Sequence, residues 1–305
     1  MLRARVGLGE VDVSTRRRAE YSTDASNYRV VPAAVVFPRS TEEILAVLSV
    51  CREYGVPVTS RGGGTSIAGN AVGAGVVLEL SRHLDRVVSV DPEAGSAVVE
   101  PGVVLDELQR AAAPYGLRFG PDPSTHARCT VGGMIGNNAC GPRALSGGKT
   151  ADNVLALDVV TGGGERLTAS AGVALPPAVD AVVQSHLATI RTELGRFNRQ
   201  VSGYSLEHLL PERGRDLAKA LVGTEGTCAV VLGATVRLVA APPATALAVL
   251  GYPDMASAAD AVPGLLPHAP VAMEGLDARL VDVVRRRRGL TAVPDLPRGA
   301  GWLLV

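Results

Sequence analysis

The stretch Pro57-Val-Thr-Ser-Arg-Gly-Gly-Gly-Thr-Ser-Ile-Ala-Gly-Asn70 runs three consecutive glycines into a Thr-Ser pair. Glycine tolerates positive φ and carries no Cβ, so successive amides in such a run can converge on a phosphate. The Thr65 and Ser66 hydroxyls would add donors. A P-loop needs Lys after its last glycine, where Thr65 stands. A dinucleotide fingerprint needs glycine at its sixth place, where Ile67 stands. A diphosphate loop of another class and a tight surface turn remain as alternatives.

Upstream of the loop, residues 35–37 read as a strand stopped by Pro38. Ser40 and Glu43 form a capping-box start for a helix in which Ile44, Val47, Leu48 and Cys51 recur at helical spacing until Gly55. Residues 56–59 make a second strand, so the unit is β-α-β with the glycines after the second strand. Downstream, 76–80, 87–90 and 97–100 read as strands, and 104–113 as a helix with Leu105, Leu108 and Ala112 inward. Residues 119–148 form a long irregular stretch rich in Gly, Pro, Asn and Ser, of the kind that is usually functional. A hairpin strand at 154–161 turns at Gly162-Gly163-Gly164, 178–197 is helical, and 221–238 is an apolar strand pair. After Pro242-Pro243 the pattern restarts with a strand at 246–252, a helix at 256–266, a strand at 271–276 and a last strand at Gly301-Trp-Leu-Leu-Val305. That restart places a boundary near residue 243.

Composition narrows the function classes. The chain has 305 residues, enough for one large domain or two smaller ones, and is 47% hydrophobic but only 3% aromatic, so its core is Val, Leu, Ile and Ala. Lys plus Arg equals Asp plus Glu at 30 each, which argues against a polyanion-binding surface. The basic run from Arg285 to Arg288 reads as a solvated helix end. Cys51, Cys129, Cys140 and Cys228 lack Cys-x-x-Cys spacing, so no metal or iron–sulfur site is expected, and buried free thiols are. The charged residues 1–20 do not read as a signal peptide, and no window is long enough to span a bilayer. The default location is cytoplasmic, with a peripheral membrane association left open.

Four motifs stand in order: Arg61-Gly-Gly-Gly-Thr-Ser66, Gly120-Pro-Asp-Pro-Ser124, Thr130-Val-Gly-Gly-Met-Ile-Gly-Asn-Asn-Ala-Cys-Gly141 and Leu221-Val-Gly-Thr-Glu-Gly-Thr227. Together they resemble the FAD-linked oxidase family with the PCMH-type, vanillyl-alcohol-oxidase-like flavin fold, over roughly residues 15–300. The glycolate oxidase and D-lactate dehydrogenase branch looks most similar. Thr23-Asp-Ala-Ser-Asn-Tyr28 and Gly136-Asn-Asn-Ala-Cys-Gly141 look like the long members in which an iron–sulfur domain follows. The resemblance implies an α+β architecture. An N-terminal segment (1–30) would precede a PCMH-type FAD-binding domain of two α/β subdomains (31–243). An incomplete ferredoxin-like cap (244–305), cut before its sheet is finished and left with an open edge strand, would follow.

On that resemblance, the loop Arg61, Gly62, Gly63, Gly64, Thr65 and Ser66 would cradle the FAD diphosphate, and Gly69 and Asn70 would extend the contact. Pro121, Asp122 and Ser124, with Thr130, Gly132, Gly133, Asn137, Asn138 and Gly141, would line the second wall. Gly223, Glu225, Gly226 and Thr227 would lie near the adenine side. Other roles stay open: an Asx-turn at a helix start for Asn137 and Asn138, a turn cap for Asp122, a buried structural carboxylate for Glu225.

The implied chemistry is oxidation of a 2-hydroxy acid such as D-lactate, glycolate or D-2-hydroxyglutarate, with hydride passing to flavin. It needs a base for the hydroxyl proton and a cation for the carboxylate. In this branch those features come largely from a motif Gly-His-x-Gly-Asp-Gly-Asn-x-His, and none of His83, His126, His186, His208 and His268 lies in one. His126 and Arg143 are the catalytic candidates, with backbone bonding for His126 and solvation or phosphate pairing for Arg128 and Arg143 as alternatives. The expectation is a truncated member, complete in its FAD site and incomplete in its substrate site. A flavin-binding subunit acting with a separate catalytic or Fe-S electron-transfer chain is the alternative. An NADPH-dependent reductase of peptidoglycan-precursor synthesis fits the 120–141 wording less well. No nucleic-acid partner is implied.

Family members that attach FAD covalently often carry a histidine in the first glycine loop, where Gly64 stands, so the FAD is expected to be non-covalent. Mass spectrometry of the denatured protein checks this: the bare polypeptide mass is expected, and a persistent flavin adduct contradicts it.

Overall fold

A computed structural model describes residues 10–197 and 199–305, so Met1–Gly9 of the charged N-terminal stretch lie outside the described residues. The chain builds three sheets in sequence order. The first contains β1 (Glu10–Asp12), β2 (Ala34–Phe37), β3 (Val58–Arg61) and β4 (Val76–Glu79), with α1 (Thr15–Glu20) and α2 (Thr41–Glu53) in the connections. Its order is β1-β2-β4-β3, with β1 antiparallel and the rest parallel. β2 and β4 are buried at every position, as strands covered on both faces must be. α2 starts where the capping box expects it: Ser40 Oγ accepts the Glu43 N–H at 3.3 Å. The Glu43 carboxylate accepts from Arg39 N instead of the cap residue's own amide.

The second sheet is antiparallel and built around one long strand. Its elements are β5 (Val87–Asp91), β6 (Ser96–Val99), α3 (Leu105–Ala112), β7 (Leu117–Phe119), α4 (Val131–Asn137), α5 (Ala144–Gly147), β8 (Val154–Thr161), β9 (Arg166–Ser170), α6 (Pro177–Ser185), α7 (Leu187–Glu193), α8 (Leu217–Leu221) and β10 (Ala229–Ala240). The order is β5-β6-β10-β8-β9, with β7 also on β10. β8 and β10 join the sheets: along β8, Val160 packs on the first sheet's core while Leu157 and Val159 turn to the larger core. Along β10, a register shift between Val231 and Gly233 separates Val230 and Leu232 on the first core from Ala234 and Val236 on the larger one. Leu105, Leu108 and Ala112 of α3 are fully buried there.

Three sequence expectations change. The stretch 119–148 contains the helix α4, hidden by three glycines of poor helix propensity. It forms because Val131, Met134 and Ile135, at i, i+3 and i+4, bury in the core and Thr130 caps the first turn. The helix over 178–197 breaks at His186 into α6 and α7 and ends at Glu193. The apolar pair over 221–238 is the end of α8, a turn, and the single strand β10, whose partners β6, β7 and β8 are remote in sequence.

The third sheet comprises β11 (Val249–Tyr252), α9 (Met255–Leu265), β12 (Glu274–Asp277), α10 (Ala278–Arg288) and β13 (Gly301–Leu304). β13 lies between β11 and β12, antiparallel to both. The last strand is therefore central, with Trp302 and Leu303 buried, and the open edges belong to β11 and β12. The basic run ends α10, as its composition implied.

Phe119→Ala would empty a fully buried position in β7, whose backbone is clamped on both sides by the Gln109 amide at 2.9 Å. Urea unfolding is expected to show a loss of about 3–5 kcal/mol.

Candidate functional site

The glycine loop leaves the end of β3 and lies directly against the segment that leads into α4. A Cβ on Gly62 would collide with the Thr130 hydroxyl, and one on Gly63 with the Arg128 carbonyl. Gly64 sits at φ +63°, a left-handed conformation that suits glycine. The first two glycines are thus required by the chain's own close approach.

That contact decides which amides are free. The first N–H groups of α4 are all used: Val131 N donates to Val103 O, Gly132 N to Pro101 O at 2.8 Å, and Gly133 N to Thr130 Oγ1 at 3.1 Å. No hydrogen bond among the described residues occupies the successive N–H groups of Gly63, Gly64, Thr65, Ser66 and Ile67. The Thr65 hydroxyl is also uncommitted, whereas Ser66 Oγ is held within the loop by Asn70 Oδ1 and Ala68 N.

The loop is braced from behind. Arg61 turns under it, donating to Ala71 O at 3.0 Å and lying 5.0 Å from the Tyr21 ring centroid. Burial lowers the Arg61 pKa, but the guanidinium stays cationic. Ala25 N donates to Gly64 O, Ala71 N to Asp24 Oδ2, and the Tyr28 ring fills the space beside Gly69.

Loop, α4 and the turn after α8 enclose a cleft of about 240 Å³ that opens to solvent. Of the residues named from sequence, Arg61, Gly62, Gly63, Gly64, Thr65, Ser66, Asn70, Thr130, Gly132, Gly133, Asn137, Glu225 and Gly226 line it. Sequence reasoning missed most of its apolar wall, including Leu80, Cys129, Met134, Ile135, Val159 and Val231. Val159 and Val231 face each other across the β8–β10 ladder, a pairing with no local signal. Burial pushes the Cys129 thiol pKa up, so it stays protonated.

The other named residues stand outside the cleft. Asn138 does not start a helix; it ends α4 at φ 54°, buried, with Oδ1 accepting from Ala151 N at 3.0 Å. Gly69, Pro121, Ser124, Gly141 and Gly223 stand outside the lining, and Thr227 bonds Thr224 O and the Tyr204 hydroxyl. Asp122 accepts from Arg143 N at 3.0 Å and pairs with Arg143 Nε at 3.2 Å. Burial raises its pKa, and Glu274 of β12 adds to the rise. Arg143 is therefore occupied. His126 Nδ1 lies 2.7 Å from Asp106 Oδ1, bonding a carboxylate instead of backbone. Glu225 is exposed, not buried. Of the cysteines expected to be buried, Cys51 and Cys129 are; Cys140 is half-buried and Cys228 exposed.

A family profile described as an FAD binding domain matches residues 32–170, the segment that builds the loop, α4 and β8. Residues 32–170 are an FAD binding domain. FAD is accordingly the cofactor of this domain. The chain is 32% identical over 292 residues to D-2-hydroxyglutarate dehydrogenase of Pseudomonas putida, covering 90% of this chain and 29% of that protein. It is 33% identical to glycolate oxidase subunit GlcD of Bacillus subtilis, covering 87% of this chain and 50% of that one. It is 32% identical to D-lactate dehydrogenase of Archaeoglobus fulgidus, covering 88% and 54%. The chain thus spans between about a third and a half of these relatives' lengths. A solved structure of alkyldihydroxyacetonephosphate synthase shares the fold of the FAD binding domain and its surroundings, with TM-score 0.67 at 18% identity, over 96% of this chain and 52% of that one. Among the described residues no helix is long and apolar enough to cross a membrane.

Arg61→Ala removes the brace under the loop. Urea unfolding is expected to show a loss of about 1–2 kcal/mol from the missing hydrogen bond and ring contact.

Proposed function

We propose that this cleft holds FAD, with the diphosphate on the N–H groups from Gly63 to Ile67. We further propose that the chain is the flavin-binding part of an enzyme that oxidises a small D-2-hydroxy acid. The run of unbonded amides at the mouth of an apolar cleft carries this reading. A cleft with such donors and aliphatic walls fits a ligand that joins a diphosphate to aromatic rings. When bound, FAD supplies a two-electron acceptor for the hydrogen on the acid's Cα.

The chain's own residues then have distinct tasks. The loop amides and the Thr65 hydroxyl bind and orient the diphosphate without a counter-cation, since Arg61 is turned beneath the loop. Leu80, Met134, Ile135, Val159 and Val231 exclude water from the cleft. Asn137, exposed on the cleft side, has a side-chain amide with no partner among the described residues and can bond a polar edge of the cofactor. No histidine lines the cleft among the described residues, which supports non-covalent binding.

The substrate half of the reaction is not in this cleft. Its ionisable side chains among the described residues are Arg61, Cys129 and Glu225: a brace, a protonated thiol and an exposed carboxylate. His126 and Arg143 are held by Asp106 and Asp122. On this reading the proton acceptor and the cation for the substrate carboxylate come from outside the cleft. A glycolate oxidase relative named as a subunit favours a second reading, a flavin-binding subunit that works beside an electron-transfer chain.

Reconstitution of the purified protein with FAD, followed by anaerobic addition of D-2-hydroxyglutarate, glycolate and D-lactate, tests both. Flavin absorption bands are expected on reconstitution. Bleaching by one of the acids supports the dehydrogenase reading, and a flavin that none bleaches supports the subunit reading. Failure to take up FAD overturns both. Gly63→Val, which drives a side chain into the Arg128 carbonyl, is expected to abolish flavin uptake.

A further inference from the structure

The two walls of the cleft touch at its rim. Asn70, at the far end of the glycine loop, donates through Nδ2 to Glu225 Oε2 on the turn after α8, across 155 residues of sequence. Both residues line the cleft. Each end of this bridge is held in place. Ser66 Oγ, 2.8 Å from Asn70 Oδ1, fixes the amide so that its N–H group faces Glu225. On the other side, Glu225 N donates to Gly136 O at 2.9 Å and Gly223 N to Ile135 O at 2.8 Å, tying the turn to the end of α4. The Tyr204 hydroxyl, 2.8 Å from Thr227 Oγ1, ties the same turn to the loop before α8.

Glu225 occupies φ 54°, a conformation that glycine adopts more easily, with left-handed glycines two residues before it (Gly223) and directly after it (Gly226). A turn of this shape would be less strained with glycine, so the carboxylate is what the position gains. A carboxylate so exposed does nothing for the core. It closes the mouth.

We propose that Asn70 and Glu225 form a clasp across the cleft that slows the release of bound flavin. The inference rests on FAD occupying this cleft. The cleft has no covalent anchor at Gly64, so retention depends on non-covalent contacts and on how often the walls part. A charge-assisted hydrogen bond at the rim acts on the second of these. FAD must pass through the open form in both directions, so a bond that holds the walls together slows entry and release alike and leaves the affinity nearly unchanged.

Stopped-flow release of FAD from the reconstituted chain, followed by flavin fluorescence, tests the clasp. Wild type must first bind FAD; if it does not, the site assignment falls and the clasp with it. Asn70→Ala and Glu225→Gly are each expected to release FAD roughly tenfold faster and to take it up faster by a similar factor, leaving the affinity within about twofold of wild type. Glu225→Gly separates the clasp from strain, because it keeps the left-handed turn and the fold while removing the carboxylate. Glu225→Gln retains a carbonyl acceptor for Asn70 Nδ2 without the charge and is expected to release at a rate between those of wild type and Glu225→Gly. The double variant should release no faster than either single one, since both remove the same bond. Wild-type release from Glu225→Gly and Asn70→Ala overturns the clasp. So does a double variant that releases roughly a hundredfold faster, because independent contacts with the cofactor would multiply.

Discussion

The contact between Gly62-Gly63 and the segment Arg128–Thr130 sets the geometry of everything around the cleft. It is a steric constraint: only residues without Cβ let the loop lie on the Arg128 carbonyl and the Thr130 hydroxyl. Thr130 is also the N-cap of α4, so the loop seats on the point where that helix begins. The helix spends its first amides on Pro101, Val103 and Thr130, and the loop keeps its own free. The uncommitted amides therefore sit on the loop, although a capped helix start lies beside it. A side chain at either glycine would separate loop and helix and open the cleft from its base.

Electrostatics reinforces that arrangement from below. Arg61 could have pointed at a phosphate, yet it stacks on Tyr21 and holds Ala71. The buried Glu79, paired with Arg61 across β3 and β4, accepts the Ser81 N–H and raises the Tyr21 phenol pKa, which burial already lifts. Charges lie beneath the loop and neutral donors above it. A diphosphate bound by amides retains its charge while the loop stays rigid, because Arg61 braces the protein instead of following the ligand.

The local elements were legible to different degrees. β2, α2 and the strands that follow carry their own signals, an apolar run or a capping serine with helical spacing, and they fold where those signals lie. α4 was hidden because Gly132, Gly133 and Gly136 depress helix propensity, while its stability comes from burying Val131, Met134 and Ile135. β10 was split in expectation because its ladder partners come from β6, β7 and β8, which no local pattern announces. Likewise β13 slots between two strands that precede it, so the end of the chain is the middle of a sheet.

The order of the four glycine-bearing motifs was sufficient to name the cofactor class and the fold, since each motif is a local backbone requirement written in residues that few other structures need. Which atoms meet across the cleft is a different matter. The free amides of Gly63–Ile67, the occupied amides of α4, the pairing of Arg143 with Asp122 and the bridge from Asn70 to Glu225 all depend on segments tens to more than a hundred residues apart. Hydrogen bonds are satisfied by whatever folding brings within about 3 Å. Only the packed chain reveals which groups are left to bind a ligand.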